Sequence, residues 1–174
     1  MNRLKKSLPV LLVLLSGFIC AKGVLAETQK PQGPKMEEVE RGRYLSVIAG
    51  CNDCHTPGYL LSGGATPESL WLTGDSFGWR GPWGTTYPVN LRLLVNTLEE
   101  DQWLALARNL KARPPMPWYS LNVMHEEDLK AIYQFIRYLG QAGEPAPAYL
   151  PPDQEPNTPY ALFPPAPDEK GSGE

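Results

Sequence analysis

Residues 51–55 read Cys-Asn-Asp-Cys-His, and this run constrains the fold more than any other feature of the chain. Two thiols three positions apart can each form a thioether with one vinyl group of a haem. The adjacent His55 can then supply the proximal ligand of the iron. The motif therefore predicts one covalently attached haem c, held by Cys51 and Cys54, and a chain that folds around this large apolar plate.

Two other kinds of site use the same cysteine spacing. A zinc site needs four nitrogen or sulfur ligands. Once Cys20 is set aside, the chain offers only Cys51, Cys54, His55 and His125, which are oddly spaced for one site. A thioredoxin-like pair should lie next to a βαβ pattern, and no strand-rich pattern lies near residue 51. Haem attachment fits the motif best.

The first 26 residues predict a secretory signal peptide. Arg3, Lys5 and Lys6 precede an apolar run over residues 8–19, and a Val-Leu-Ala cleavage site ends at Ala26. The apolar run is shorter than the roughly 20 residues that a membrane-spanning helix requires. We therefore expect cleavage after Ala26, a periplasmic or otherwise exported protein, and no membrane span after cleavage.

Cys20 leaves lipidation open as an alternative, although Ile19 directly before it fits a lipoprotein signal poorly. Paired cysteines in an exported protein would ordinarily indicate a disulfide. Here the adjacent His55 favours haem, because thioether attachment also takes place on the outer side of the bacterial membrane.

The net charge limits the kinds of partner that the chain is suited to bind. The chain has 16 basic and 19 acidic residues, and residues 1–26 hold four of the basic and none of the acidic ones, which leaves a formal charge of −7 after cleavage. An acidic chain is a poor candidate for binding nucleic acid. It is suited to docking on a basic patch of a redox partner, or the charge merely keeps the protein soluble.

Three amphipathic segments predict helices. After a flexible lead-in over residues 27–35, the first runs from near Met36 to Gly50, the second spans residues 98–112, and the third spans residues 126–139. Acidic residues open each segment, as the helix dipole favours.

The rest of the chain is rich in glycine, proline and aromatic residues. Residues 56–92 predict irregular loops whose rings cover a large apolar group. Residues 113–120 contain three prolines and predict a stiff extended loop around Met116. Beyond a single domain at residues 36–143, the proline-rich residues 144–174 predict an extended tail. Three alternatives stay open for this tail: it wraps the domain, it is disordered, or it binds a partner.

Three stretches carry a resemblance to a known family. They are Gly42-Arg43-Tyr44-Leu45, then Gly81-Pro82-Trp83-Gly84-Thr85-Thr86-Tyr87 with Asn90-Leu91, and finally Pro114-Pro115-Met116-Pro117-Trp118 with Glu127-Asp128-Leu129-Lys130-Ala131-Ile132-Tyr133. Together they resemble the class I c-type cytochromes, and in particular the cytochrome c subunits of bacterial membrane-bound alcohol dehydrogenases. The resemblance covers roughly residues 36–140. It implies an all-α cytochrome c fold, with three main helices around one haem.

The chain departs from that family in three respects. The alcohol dehydrogenase subunits carry several haems, whereas this chain has one motif. The family usually has threonine where this chain has Arg92, and the tail is not part of its pattern. The resemblance therefore implies a single-haem relative. It also implies that a carbonyl near Pro67 or Leu70 holds the second nitrogen of His55.

Three residues compete for the distal side of the iron. The resemblance implies Met116, which matches the family's ligand position in the stiff loop. Met124 is similar to the family's apolar packing residue. His125 would give a bis-histidine iron, and it lies beside an acidic helix start where an exposed histidine is ordinary.

Ligation of the iron by His55 and Met116 would leave no open position for oxygen or peroxide chemistry. The chain is thus predicted to be an electron carrier and not an enzyme, passing single electrons to redox partners such as a dehydrogenase, an oxidase or another cytochrome. Two alternatives stay open. One is a haem-bearing subunit of a dehydrogenase or oxidase complex, docked by its tail. The other is a five-coordinate haem enzyme or gas sensor.

Overall fold

The computed structural model describes residues 35–163. The predicted signal peptide, the lead-in up to residue 34 and the end of the tail at residues 164–174 lie outside the described residues. The helices within the described range are α1 (Met36–Ile48), α2 (Cys51–His55), α3 (Leu91–Val95), α4 (Glu100–Asn109), α5 (Trp118–Asn122) and α6 (Glu126–Leu139). The strands are β1 (Gly78–Gly81), β2 (Gly84–Thr86) and β3 (Tyr160–Leu162), and one 3₁₀ turn spans Glu68–Leu70.

The long helices α1, α4 and α6 lie at the three positions where the periodic segments predicted helices. The α4 helix is shorter than predicted: it ends at Asn109, and the backbone of Leu110 is already extended. A capping box between Glu99 and Gln102 closes its other end. The all-α class and the cytochrome c fold themselves stay predictions.

Helices α1 and α6 cross in close contact. A Cβ atom added to Gly42 of α1 would overlap the carbonyl oxygen of Ala131 and lie 2.7 Å from the Cβ of Phe135. Arg41 reinforces the crossing through an ion pair with Asp128. Glycine at position 42 therefore lets the two backbones touch, which a larger residue would prevent.

The apolar stripe of α6 forms the centre of the core. Leu129, Ile132, Tyr133 and Ile136 are all buried, as their i, i+3, i+4, i+7 spacing predicted, and Phe135 beside them is buried as well. The indole N–H of Trp103 donates a 2.8 Å hydrogen bond to the carbonyl of Leu129. This bond satisfies the one polar atom of the tryptophan ring and fixes α4 against α6.

A small sheet, absent from the sequence prediction, ties the proline-rich tail to the domain. Its order is β2-β1-β3, with β1 antiparallel to β2 and parallel to β3. Leu150 forms a further bridge to Thr85, with hydrogen bonds of 2.8 and 3.0 Å. Up to residue 163, the tail therefore packs along the domain, the first of the three predicted outcomes.

Arg92, which departs from the family pattern, is buried and holds the end of α6. Its guanidinium donates to the carbonyls of Gly140 at 2.6 Å and Ser69 at 2.8 Å, and also to that of Leu139. The last carbonyls of a helix have no partner within the helix. Arg92 thus supplies that partner and joins α3, α6 and the turn at Ser69.

Within residues 35–163, no helix combines the length and the apolar character required to cross a membrane.

Candidate haem site

A cavity of about 1060 Å³ contains all four predicted haem-binding residues in its wall. Cys51, Cys54, His55 and Met116 line it together. Apolar side chains from helices α3 to α6 and the adjoining loops supply most of the remaining surface, and they are Leu91, Leu94, Trp103, Leu106, Leu110, Leu121, Met124 and Ile132. Its volume is slightly larger than that of ordinary ligand pockets, which run from about 300 to 1,000 Å³.

The short helix α2 carries the cysteine–histidine motif into this wall. Asn52 and Thr56 are fully buried on its other face, where the hydroxyl of Thr56 donates to the side-chain oxygen of Asn52 at 2.7 Å. The same hydroxyl accepts a 2.8 Å hydrogen bond from the backbone N–H of Leu72. This chain of bonds anchors α2 to the following loop and orients its other face towards the cavity.

The ring of His55 is held by the carbonyl oxygen of Val89, 2.8 Å from Nδ1. A carbonyl can only accept, so Nδ1 carries the proton and Nε2 keeps its lone pair. The sequence-based expectation of a carbonyl near Pro67 or Leu70 is therefore wrong. The partner comes from a segment much farther along the chain.

Gly74 explains how Val89 reaches His55. The backbone N–H of Gly74 donates to the carbonyl of His55 at 2.8 Å, and a Cβ at Gly74 would lie 2.7 Å from the backbone nitrogen of Asn90. With φ at +77°, the position also favours glycine over any residue with a side chain. Residues 88–90 can therefore lie directly against the end of α2.

Burial lowers the pKa of His55 below its usual value, and the hydrogen bond to Val89 opposes this only in part. The imidazole is accordingly neutral at pH 7, which is the form that binds a metal. A neutral histidine whose Nδ1–H is fixed by a carbonyl is the arrangement commonly found around metal-bound histidines.

The two thiols do not resemble a reactive redox pair. Burial raises the pKa of Cys51 to about 11 and also raises that of Cys54. Redox-active cysteines have a lowered pKa instead. Cys51 and Cys54 are not joined by a disulfide. Among residues 35–163, no cluster of three His, Cys, Asp or Glu side chains could hold a metal ion, so the zinc alternative finds no support in the described part of the chain.

The three candidates for the distal side occupy different environments. Met116 and Met124 both line the cavity, whereas His125 is exposed at the start of α6 and does not. Met124 also packs against the hydrophobic core, in keeping with its predicted packing role. The loop that carries Met116 is held by the hydroxyl of Thr86, which donates to the carbonyl of Pro114 at 2.8 Å.

The aromatic residues of the glycine-rich loops divide into two groups. Trp79 and Tyr87 line the cavity, as the sequence predicted for rings covering a large apolar group. Trp71 packs instead edge-on against Phe135, and Trp83 packs against Phe163 of the tail. Only part of the predicted aromatic cover thus faces the cavity.

Several residues of the wall were not predicted from the sequence. Lys111 and Arg113 line the cavity before Met116, and Pro147, Ala148 and Tyr149 of the tail line it too. The aromatic residues scattered through the tail were the one available signal, because an extended segment with such side chains usually has a surface to cover.

The donor set of the cavity fits a haem better than the other candidates. A neutral histidine and a thioether are both ligands of low-spin haem iron, two thiols in one wall can form thioethers with vinyl groups, and an apolar lining suits the porphyrin. His55 and Met116 would bind the iron, and Cys51 and Cys54 would bind the porphyrin edge. Among residues 35–163, no carboxylate side chain lines the cavity.

Comparison with known proteins finds a relative among cytochrome subunits. The chain is 28% identical over 119 residues to the cytochrome subunit of fructose dehydrogenase from Gluconobacter japonicus. The match covers 61% of the chain but only 22% of that subunit, so the chain spans less than a quarter of its relative. No family model matches the chain, and no solved structure matches it.

The similarity supports haem as the bound group and electron transfer as its role. It is to a cytochrome subunit and not to a catalytic subunit, in agreement with the prediction that the chain is not an enzyme. That relative is a subunit of a dehydrogenase.

Proposed function

We propose that this chain is an exported mono-haem c-type cytochrome of class I fold that carries single electrons between redox proteins. Its one haem c is attached through Cys51 and Cys54. His55 and Met116 would be the two protein ligands of its iron. When bound, the haem supplies a one-electron redox centre.

The observation that carries the proposal is the hydrogen bond between His55 and Val89. It fixes the tautomer of a buried, neutral histidine in the wall of the cavity that Cys51, Cys54 and Met116 also line. A histidine that only packs in the core would not need two cysteines and a methionine beside it in the wall of an apolar cavity large enough for a porphyrin. The similarity to a cytochrome subunit supports the same conclusion independently.

The remaining residues of the site control water and access. Leu94, Leu106 and Ile132 give the cavity an apolar lining that keeps solvent from the iron. With His55 and Met116 as ligands, neither side of the iron is open to oxygen or peroxide. A haem held in this way would exchange single electrons with a protein docked outside, and no substrate would need to enter the cavity.

A second candidate is a haem-bearing subunit of a dehydrogenase complex. The similarity to a fructose dehydrogenase cytochrome subunit favours it to the same degree as a free carrier. Electron carriers form small transient interfaces, whereas subunits form larger ones. Size-exclusion chromatography of native extracts separates the two, because a free carrier elutes at its monomer mass and a subunit elutes with a dehydrogenase.

Covalent haem attachment is tested by expressing the full chain in a bacterium that matures c-type cytochromes. We expect intact-mass spectrometry to give residues 27–174 plus one haem, from the periplasmic fraction. The double variant Cys51→Ala, Cys54→Ala should carry no covalent haem. The control Cys20→Ala should carry one haem and keep the mass expected after cleavage at Ala26.

A mature wild-type protein without haem, or a double variant that still carries covalent haem, would contradict the proposal. A wild-type mass that corresponds to residues 20–174 plus a lipid and one haem, and that becomes residues 27–174 plus one haem in Cys20→Ala, would instead establish lipidation and leave the haem assignment in place.

A further inference from the structure

Two cations stand out in the wall of the haem cavity. Within residues 35–163, Lys111 and Arg113 are the only lysine, arginine, aspartate or glutamate side chains that line it. They lie on the loop that leads from α4 to Met116. A cavity that is otherwise apolar, in an acidic protein, thus carries positive charge on one side and no carboxylate from the described residues to balance it.

Neither cation has a hydrogen-bond or ion-pair partner within the described part of the chain. Every other lysine and arginine of that range makes at least one such contact, and they are Lys35, Arg41, Arg43, Arg80, Arg92, Arg108, Lys130 and Arg137. The two cations that face the cavity are therefore also the two whose charged groups remain available for an anion.

The tail positions one of these cations. The guanidinium carbon of Arg113 lies 3.8 Å from the centre of the Tyr149 ring, a close cation–π contact. The hydroxyl of Tyr149 donates to the carbonyl of Trp83 at 2.8 Å, and the next residue, Leu150, is bonded to Thr85. The ring is thus fixed to the sheet, and it holds the Arg113 side chain beside the cavity.

We propose that Arg113, positioned by Tyr149 and assisted by Lys111, binds a propionate carboxylate of the haem. The proline-rich tail is then part of the cofactor site. This inference rests on the proposed function, since it assumes a haem in the cavity. A planar guanidinium presents paired donors that match a carboxylate, and the aromatic ring beneath it reduces the freedom lost on binding.

The proposal has a measurable electrostatic consequence. A fixed positive charge beside the haem favours the reduced form, because the oxidised form carries one more positive charge. Removing the charge should therefore lower the reduction potential. At a fixed applied potential, the ratio of reduced to oxidised protein should fall by about threefold to tenfold. For a one-electron couple, a tenfold fall corresponds to about 59 mV.

The test compares Arg113→Gln with Arg108→Gln in the haem-loaded protein by spectroelectrochemical titration. Both variants lose one positive charge, but Arg108 lies on α4, pairs with Glu126 and does not line the cavity. Of these two variants, we expect only Arg113→Gln to lower the ratio of reduced to oxidised protein. Lys111→Gln should give a smaller fall of the same sign.

A second pair of variants tests the positioning role of Tyr149 without changing any charge. Tyr149→Phe keeps the ring under Arg113 and the bridge from Leu150 to Thr85 but loses the bond to Trp83, so its ratio should fall less than that of Tyr149→Leu. Tyr149→Leu removes the ring, so its ratio should fall towards that of Arg113→Gln. A general loss of structure would instead affect both variants equally, or shift the absorption spectrum of the haem.

Each outcome decides one part of the proposal. Haem-loaded Arg113→Gln with the wild-type ratio would overturn this inference and leave the proposed function standing. Equal falls for Arg113→Gln and Arg108→Gln would also overturn it, because the effect would then be one of net charge. Tyr149→Leu with the wild-type ratio would overturn the role of the tail. Wild-type protein without haem would overturn both this inference and the proposed function.

Discussion

Gly42 of α1 and Ala131 of α6 are in backbone contact where the two helices cross, with no room for a side chain between them. Val39 of α1 and Phe135 of α6 are both fully buried in the core, and α1 leads directly into the haem motif. The crossing therefore determines where α2 begins, and through it where Cys51 and His55 lie.

Replacing Gly42 by alanine should destabilise the protein. A new methyl group would overlap the carbonyl oxygen of Ala131, which cannot rotate away. Overpacking usually costs about 1 to 3 kcal/mol, and alanine regains only about 1 kcal/mol in helix propensity. Because the overlap is with backbone, we expect the free energy of unfolding to fall by about 2 kcal/mol or more in denaturant titrations.

The matched change Glu37→Ala lies on the exposed side of the same helix and should alter the free energy of unfolding by less than about 0.5 kcal/mol. A Gly42→Ala protein as stable as the wild type would mean that α1 and α6 are farther apart than described.

Arg92 should matter for stability through its donors and not through its charge. Burial lowers its pKa, yet three carbonyls at the end of α6 and at Ser69 depend on it. Hydrogen bonds to charged groups contribute about 1.5 to 3 kcal/mol each. We expect Arg92→Ala to lower the free energy of unfolding by about 3 kcal/mol or more, measured by denaturant titration.

Arg92→Lys provides the stricter test, because lysine keeps the charge but cannot reach three carbonyls in the same fork. It should recover less than half of the loss. The exposed Arg137, with one 3.3 Å bond to the carbonyl of Asn96, is the control. Full recovery in Arg92→Lys, or an equal loss in Arg137→Ala, would contradict the assigned role.

Gly84 should be required for the tail to stay on the sheet. Its φ is +98°, and a Cβ there would overlap the carbonyl oxygen of Leu150. We expect Gly84→Ala to break the bridge between Thr85 and Leu150. In hydrogen–deuterium exchange, the amides of Thr85, Leu150 and Phe163 should lose protection by about tenfold or more, since local opening governs their exchange.

Gly63→Ala is the control for Gly84→Ala, which combines backbone strain with a clash against the tail. Gly63 also has a positive φ, of +60°, but a Cβ there would meet nothing within 4 Å. Both variants suffer the backbone strain, and only Gly84→Ala clashes with the tail. Equal loss of protection at Leu150 in both would show that strain and not contact explains the result.

The charged cluster at the start of α6 gives a pH-dependent prediction. Hydrogen bonds from Lys130 and Arg108, together with their charges, lower the pKa of Glu126 below its usual value. The pKa of Glu126 is lower in the folded than in the unfolded state, where it is about 4.3. The stability that the ionised carboxylate contributes is therefore present above the unfolded pKa and is lost as the pH falls through the pKa of the folded state. Lys130→Gln should raise the pKa of Glu126 in an NMR titration, whereas Lys35→Gln should leave it unchanged. An unchanged pKa in Lys130→Gln would refute the pairing.

The helical part of the structure was accessible from the sequence because its signals are local. The stripe of α6 and the capping of α4 depend on residues only a few positions from one another. The haem motif is equally local, and its residues line one cavity. The resemblance favours Met116 over Met124 as the distal ligand, and the structure places both residues in the same wall.

The sheet and the partner of His55 could not be predicted, because both depend on distant segments. Strand β3 pairs in parallel with β1 from a tail far along the chain, whose prolines indicate an extended, unpaired segment. The Val89 carbonyl reaches His55 only because Gly74 allows residues 88–90 to approach. Neither contact leaves a periodic pattern in the sequence.

The most direct test of the account is the optical spectrum of the oxidised protein. Methionine bound to ferric haem gives a weak absorption band at long wavelength, and we expect the wild type to show it. Met116→Ala should lose the band and Met124→Ala should keep it, with both variants still carrying covalent haem. A band that survives in Met116→Ala, or that is absent from the wild type, would contradict ligation of the iron by His55 and Met116.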